Sequence, residues 1–374
     1  MGHGGTFMGR GGVDLFNGFY MDKRVLITGH TGFKGSWLSI WLERLGATVI
    51  GYGLEPYTEK DNFVACGLKD RVIDITGDIR DYKKLSEVFK MYKPEIVFHL
   101  AAQALVKESY ENPKETYDTN VMGTLNVLEC IKNSVTVKVS IMVTTDKCYK
   151  NIEQIWGYRE DDPMGGYDPY SSSKGCAEIL IDSYRNSFVN PKDYSLHGKS
   201  IASVRAGNVI GGGDWSRDRI IPDCIRALKE NKDIEIRNPK AVRPWQHVLE
   251  PLSGYLLLAS KMHEDGVSYC SGWNFGPNSD SIVSVGNIVD VVIKEWGYGK
   301  CVDISRENAP HEANILKLDC TKAKIYLKWS PKLNVQEALK LTIDWYKNYK
   351  NRDVFGLCVN QIVDYCNKII KEVI

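Results

Sequence analysis

A tyrosine and a lysine stand four positions apart in Tyr170-Ser171-Ser172-Ser173-Lys174. On a helix that spacing puts both on one face. An ammonium beside a phenol stabilises phenolate, whose parent pKa is about 10. The pair can then take a hydroxyl proton while hydride leaves the same carbon. Spacing alone is weak, because Tyr346 and Lys350 repeat it and read there as a solvated helix face. Position separates them: Tyr170 follows the fifth strand of an alternating pattern. Just ahead lies Thr144-Thr145-Asp146-Lys147-Cys148-Tyr149, which closes that strand. Ligands of open parallel sheets bind at the carboxyl ends of strands. An adjacent Asp and Lys alone read as a solvated loop pair, but directly before the Tyr/Lys pair they become acid and base candidates.

A second constellation is Thr28-Gly29-His30-Thr31-Gly32-Phe33-Lys34-Gly35, after the first strand and opening the first helix. Glycines there let the backbone approach a pyrophosphate, and a helix N-terminus offers N–H groups and positive dipole. The plain alternative is a tight turn with close helix-on-sheet packing. A ribose-binding acid is expected about 20 residues on, yet Gly53 occupies that place with Glu55 just beyond. Nothing basic at Gly53 or Leu54 favours a 2′-phosphate, so NAD is preferred to NADP. Further on, Arg219 and Arg243 have the fork geometry to clamp an anion, and Trp215 or Trp245 could stack on a ring. Surface arginines with aromatic packing are the equal alternative.

Strand character at 23–28, 48–52, 71–75, 96–100, 140–144 and 200–205 alternates with helical patterns at 36–45, 82–91, 115–132 and 171–188. Apolar strands separated by helices predict an α/β fold, a Rossmann-type doubly wound parallel sheet. Beyond Gly207 the alternation loosens, with helices at 285–296 and 335–346 in a smaller α/β region. The Gly-rich residues 1–14 lack an apolar signal-peptide core and are expected to be a flexible extension.

Composition removes other classes. The 374 residues carry 48 Lys+Arg against 47 Asp+Glu, a net charge of +1. A nucleic-acid partner calls for a basic footprint that is absent. The longest apolar stretch, 96–106, is broken by His99 and Gln103, whereas a membrane span needs about 20 apolar residues. Ten cysteines without a C-x-x-C pair predict thiols in a reducing cytoplasm. The seven histidines show no metal-ligand spacing, so no metal is expected.

The 28–35 turn, His99-Leu100-Ala101-Ala102, Asn120, Tyr170 and Lys174 together resemble the extended short-chain dehydrogenase/reductases, Rossmann enzymes that largely act on nucleotide sugars. The match narrows to the CDP-glucose 4,6-dehydratases through 30–38, 145–149, Asp168-Pro169-Tyr170-Ser171, 206–215, 243–252 and His311-Glu312-Ala313. It spans about 15–348.

That resemblance implies conversion of CDP-glucose to CDP-4-dehydro-6-deoxyglucose and water; an epimerase, or a dehydratase for another nucleotide sugar, is the alternative. It implies NAD held by Gly29, Thr31, Gly32, Phe33, Lys34 and Gly35. Asp78 and Ile79 would lie at the adenine, with Leu100, Ala101, Ala102 and Thr144 lining the cofactor beside Tyr170 and Lys174. Tyr170 and Lys174 become the redox pair, Thr145 a contact of the sugar 4-hydroxyl, and Asp146 the acid at C6. Lys147, where dTDP-glucose relatives have Glu, is expected to be kept neutral by desolvation and nearby positive charge. Asn208, Arg219, Arg243 and His247 are the substrate candidates. The resemblance also implies discontinuous lobes: 15–215 plus 245–275 for the cofactor, 216–244 plus 276–350 for the substrate, and a helical tail over 351–374. A homodimer or homotetramer is expected, with the helices at 115–132 and 171–188 pairing across a four-helix interface.

Overall fold

The computed structural model describes residues 7–8, 12–13, 15–305 and 316–373. The His311-Glu312-Ala313 motif and most of 1–14 lie outside the described residues. Seven parallel strands form the central sheet: β1 (Arg24–Thr28), β2 (Thr48–Gly53), β3 (Ile73–Thr76), β4 (Ile96–His99), β5 (Val139–Val143), β6 (Ser200–Arg205) and β7 (Gly272–Asn274). Their spatial order is β7-β6-β5-β4-β1-β2-β3, the Rossmann order with one strand added. β4, β5 and β6 are buried throughout, as strands covered by helices on both faces must be. Strand order reverses between β1 and β4, so the ligand crevice opens above Thr28 and His99, which are paired in register.

The main helices are α1 (Phe33–Arg44), α2 (Tyr82–Tyr92), α3 (Gly123–Asn133), α4 (Pro169–Phe188), α5 (Ile220–Lys229), α6 (Leu249–Glu264), α7 (Val285–Trp296), α8 (Val335–Asn348) and α9 (Val354–Val373). α4 starts on a strong signal. The Asp168 side chain accepts from the Ser171 N–H at 2.9 Å, and Pro169 fills the first helical position, which together fix the turn that carries Tyr170.

The predicted 115–132 helix is interrupted: Pro113–Tyr117 is followed by a π-helical turn, Asp118–Met122, and then α3. Asn120 explains the break. Its amide donates to the Gln103 carbonyl at 2.9 Å and to Ser173 Oγ at 2.8 Å, and its Oδ1 accepts from the Gln103 N–H. A π-bulge turns that side chain inward and ties the loop after β4 to α4.

Beyond β6, short strands build a second region. Val242–Pro244 pairs antiparallel with Ile282–Ser284, Gln246–His247 parallel with Val209–Ile210, and Ile234–Ile236 parallel with Cys301–Asp303. One apolar core runs from β1 and α1 through α6 into α7, α8 and α9. Among the described residues no helix is long and apolar enough to cross a membrane.

Candidate active site

The glycine turn is close-packed at two positions and open at the third. Gly29 has φ +75°, and a Cβ there would sit 2.8 Å from the Ala101 backbone; one on Gly35 would lie 2.1 Å from the Gly29 carbonyl oxygen. These two let β1, β4 and α1 meet. A Cβ on Gly32 would meet only the Gly29 carbonyl, at 3.4 Å. Gly32 also caps α1 without any side-chain hydrogen bond, so the first-turn N–H groups remain available to an anion. That cradle fits a dinucleotide pyrophosphate.

The place of the missing ribose acid is closely surrounded. A Cβ on Gly53 would lie 3.3 Å from His30 Nδ1 and 3.4 Å from Thr31 Oγ1. His30 is buried and its Nε2 sits 2.7 Å from Asp74 Oδ1. Thr31 donates to the Leu54 carbonyl at 2.8 Å, and Glu55, the displaced acid, accepts from Thr76 at 2.6 Å. Asp78 is forked by Arg80 at the end of β3. The side chain of Ile79 is packed in the core under Gly123, so only its backbone is left for a ligand. Phe33 packs close to Gly211. Leu100 and Ala101 leave β4 with their N–H groups bonded to Thr28, and Ala102 follows them along the crevice.

At the end of β5 a 3₁₀ turn, Asp146–Cys148, aims the next group. Thr145 donates to Asp146 Oδ1 at 3.0 Å. Asp146 is 2% exposed, and its Oδ2 has no hydrogen-bond partner among the described residues. Burial pushes its carboxyl up, opposed by Lys147, the Thr145 hydroxyl, Lys34 and Arg243. A protonated carboxyl is what a general acid requires.

Tyr170 is buried beside Thr145. Burial pushes its phenol up to about 12, with the Thr145 hydrogen bond and the Arg219 charge pulling the other way. Lys174 instead donates to the Val143 carbonyl at 3.3 Å. Burial lowers its ammonium to about 8, against the pull of Glu178. Of the cations nearby, the one whose charge bears on the Tyr170 phenol is Arg219, while Lys174 stands one helical turn further on, at the end of β5. Lys147 is exposed, not buried as expected. Lys34, like Lys174, is driven down to about 8, by burial and by Arg219, with Asp146 opposing.

Behind these groups lies a charged network that spacing did not reveal. Glu178, one turn beyond Lys174, accepts from Arg205 Nε at 2.9 Å and Nη2 at 2.8 Å, from Ser203 at 2.7 Å, and from Thr144. Burial works against its charge, and Arg205 more than offsets that, holding Glu178 below the usual carboxylate range. The Thr144 hydroxyl is thus committed to Glu178 and anchors the end of β5. A sequence signal existed, since Tyr170, Lys174 and Glu178 form an i, i+4, i+8 stripe.

The substrate candidates divide. Asn208 holds a left-handed backbone, φ +47°, at the bend after β6. Arg219 pairs with Asp214 at 2.8 Å and its charge reaches Tyr170 and Lys34. Arg243, on Val242–Pro244, is felt by Asp146. His247 has no exposed surface, stands edge-on to Trp37 at 5.9 Å, and is driven down to about 3 by burial. It therefore lies behind the surface on which the other candidates stand. Trp215 packs on Tyr346 and donates to the Lys60 carbonyl, and Trp245 donates to Val283. Neither indole lies free for stacking. Tyr346 is buried with its hydroxyl on the Asp214 carbonyl, not solvated as its spacing with Lys350 suggested.

The GDP-mannose 4,6 dehydratase family model matches residues 26–342. A CDP-glucose 4,6-dehydratase of Salmonella typhimurium is 51% identical over 348 residues, covering 93% of this chain and 97% of that protein. Among solved structures, dTDP-glucose 4,6-dehydratase from Bacillus anthracis in complex with NAD is 23% identical with TM-score 0.72, covering 90% of this chain and 99% of that one. UDP-glucose 4-epimerase of Thermotoga maritima with UDP-glucose is 24% identical with TM-score 0.73, covering 88% and 100%. These two likenesses speak for the fold. The match across most of the chain, joined to a relative identical at half its positions, shows that the chain belongs to the GDP-mannose 4,6 dehydratase family of extended short-chain dehydrogenase/reductases.

Proposed function

We propose that the protein converts CDP-D-glucose to CDP-4-dehydro-6-deoxy-D-glucose and water. The carrying observation is Asp146: a buried, partnerless carboxyl oxygen pushed toward protonation beside the Thr145/Tyr170 pair. Oxidation at C4 needs a base, whereas loss of a C6 hydroxyl also needs an acid. The half-identical relative, a CDP-glucose 4,6-dehydratase, supports the choice of nucleotide.

The residues that would hold NAD are the Gly29–Gly35 turn, the Ala101–Ala102 segment and Asp78. When bound, NAD supplies the hydride acceptor, later the donor, and a positive charge near the phenol. Tyr170 takes the proton of the 4-hydroxyl, and Thr145 orients that hydroxyl. The resulting ketone acidifies C5–H, whose proton passes to a water beside the exposed Lys147 and returns to C5 when the C5–C6 double bond is reduced. Asp146 gives its proton to the 6-hydroxyl, which departs as water. Arg219 and Arg243 bring charge for the two phosphates, with Asn208 beside them. Each turnover therefore leaves Tyr170 with a proton gained and Asp146 with one lost.

The same reading divides the chain into a cofactor lobe, 15–215 plus 245–275, and a substrate lobe, 216–244 plus 276–350. Assembly into two or four copies is supported by Met122, Ile179 and Phe188, exposed apolar side chains on the helices named for it. Ten free thiols support a reducing cytoplasm. Mass spectrometry of products from CDP-, dTDP-, UDP- and GDP-hexoses tests the proposal. A product one water lighter from CDP-glucose is expected, and a product of unchanged mass would favour an epimerase.

A further inference from the structure

Asp146 must regain its proton before the next turnover. Its Oδ1 is committed to the Thr145 hydroxyl. Its Oδ2 faces Gly207, and Asp146 and Gly207 both line a cavity of about 10 Å³, the lower limit for one water. Gly207, Pro244, Gln246, Pro277 and Lys317 help to line it. Gln246 is 1% exposed. Its amide nitrogen spends both hydrogens, on the Gly207 carbonyl at 3.2 Å and the Phe275 carbonyl at 3.0 Å. The amide orientation is thereby fixed, and Gln246 Oε1 is left without a partner, as is Asp146 Oδ2. Once the carboxyl has given up its proton, Asp146 and Gln246, both lining one water-sized cavity, each carry a buried acceptor without a donor. Water is the small neutral molecule that donates twice. A cation would also suit two oxygens, but Lys317 at the wall and the charges of Lys34, Lys147 and Arg243 around Asp146 oppose it.

We propose that this cavity is a single-water site through which Asp146 is reprotonated from solvent, with Gln246 as the positioning residue that holds the water. The inference rests on the reading of Asp146 as the acid. The carboxyl loses its proton to the departing hydroxyl, and the carboxylate takes one from the held water. Solvent replaces that proton past Lys317, while Tyr170 releases to solvent the one it gained. The competing route is internal, from Tyr170 through the Thr145 hydroxyl to Asp146 Oδ1.

Gln246→Met keeps the length and removes the oxygen. On the acid reading the first turnover uses the proton that Asp146 carries at rest, so a rapid-quench experiment with CDP-glucose should give a burst of one product per site near the parent rate. Steady turnover should then fall at least ~10-fold, and imidazolium buffer should restore part of it. A parent steady-state rate would assign reprotonation to the Thr145 route and overturn the proposal. Equal slowing of the first and later turnovers would make Gln246 merely structural and also overturn it. A high-resolution crystal structure of the unaltered protein supplies a second reading. Water within hydrogen-bond distance of Asp146 Oδ2 and Gln246 Oε1 is expected; an empty cavity, or a metal ion there, refutes it. Asp146→Asn separates the two levels: parent dehydration in that variant refutes the acid itself, whereas a dead Asp146→Asn beside an unaffected Gln246→Met refutes only the water site.

Discussion

Gly207→Ala is a test of the acid's position made without touching the acid. A Cβ on Gly207 would stand 1.8 Å from Asp146 Oδ2 and 2.2 Å from its Cγ. Ordinary contact lies near 3.5 Å, so the carboxyl must retreat by roughly 1.5 Å. Gly207 does not have a positive φ, and alanine therefore brings no backbone strain of its own. The contacted group is a short, buried side chain, so the stability cost should be about 1–3 kcal/mol, as for modest overpacking. A misplacement of about 1 Å can cost ~10²-fold in rate, and the elimination should slow by about that factor. Oxidation at C4 uses Tyr170 and should change only a few-fold. Stopped-flow absorbance after mixing the NAD-loaded variant with CDP-glucose should show NADH rising nearly as in the parent and then persisting. Rapid return of that absorbance, with dehydrated product formed at the parent rate, would refute the placement of the acid at Asp146.

Tyr170→Phe should lower oxidation by ~10²–10⁴-fold, the usual share of general-base catalysis, while isothermal titration shows CDP-glucose binding nearly unchanged; a parent rate would remove Tyr170 as the base. Arg205→Met should destabilise the fold by about 3–5 kcal/mol in urea melts, because it strands the buried Glu178 charge, while Arg205→Met with Glu178→Gln should recover most of the loss. Glu250, fully buried on α6, is pushed up to about 7 by burial, against bonds from Tyr365, Lys332 and Leu333. A raised carboxyl binds its proton more tightly folded than unfolded, so it makes stability fall by about 3 kcal/mol as pH rises from 4.5 to 7. Glu250→Gln, which keeps the Oε1 acceptor for both backbone N–H groups, should flatten that slope in melting temperature against pH.

Where alternation is regular, sequence and structure coincide: β6 falls on the expected 200–205 and α7 on 285–296. α6 escaped because most of its residues are buried, which erases the polar face that marks a 3.6-residue period. β7 is three residues long, too short for any pattern. α1 begins three residues before the expected 36, because its first turn faces the glycine cradle and not a polar cap. In the site, local signals were legible: Tyr170 with Lys174 by helical spacing, Asp146 by its place at a strand end. Long-range partners were not. Glu178 meets Arg205 across 27 positions, and Gln246 meets the Gly207 carbonyl across 39. No local period encodes such pairs. The burial of His247 was illegible for the same reason, since a histidine four positions after Arg243 looks polar until Trp37, 210 positions away, covers it.

The central claim is that oxidation, elimination and reduction occur on one sugar within one site. CDP-glucose carrying deuterium at C4 tests it directly when turned over by the purified protein with unlabelled NAD. The account predicts a product one water lighter with the deuterium on the C6 methyl. Label lost to solvent or recovered in released NADH, or a sugar of unchanged mass with inverted C4, would contradict it.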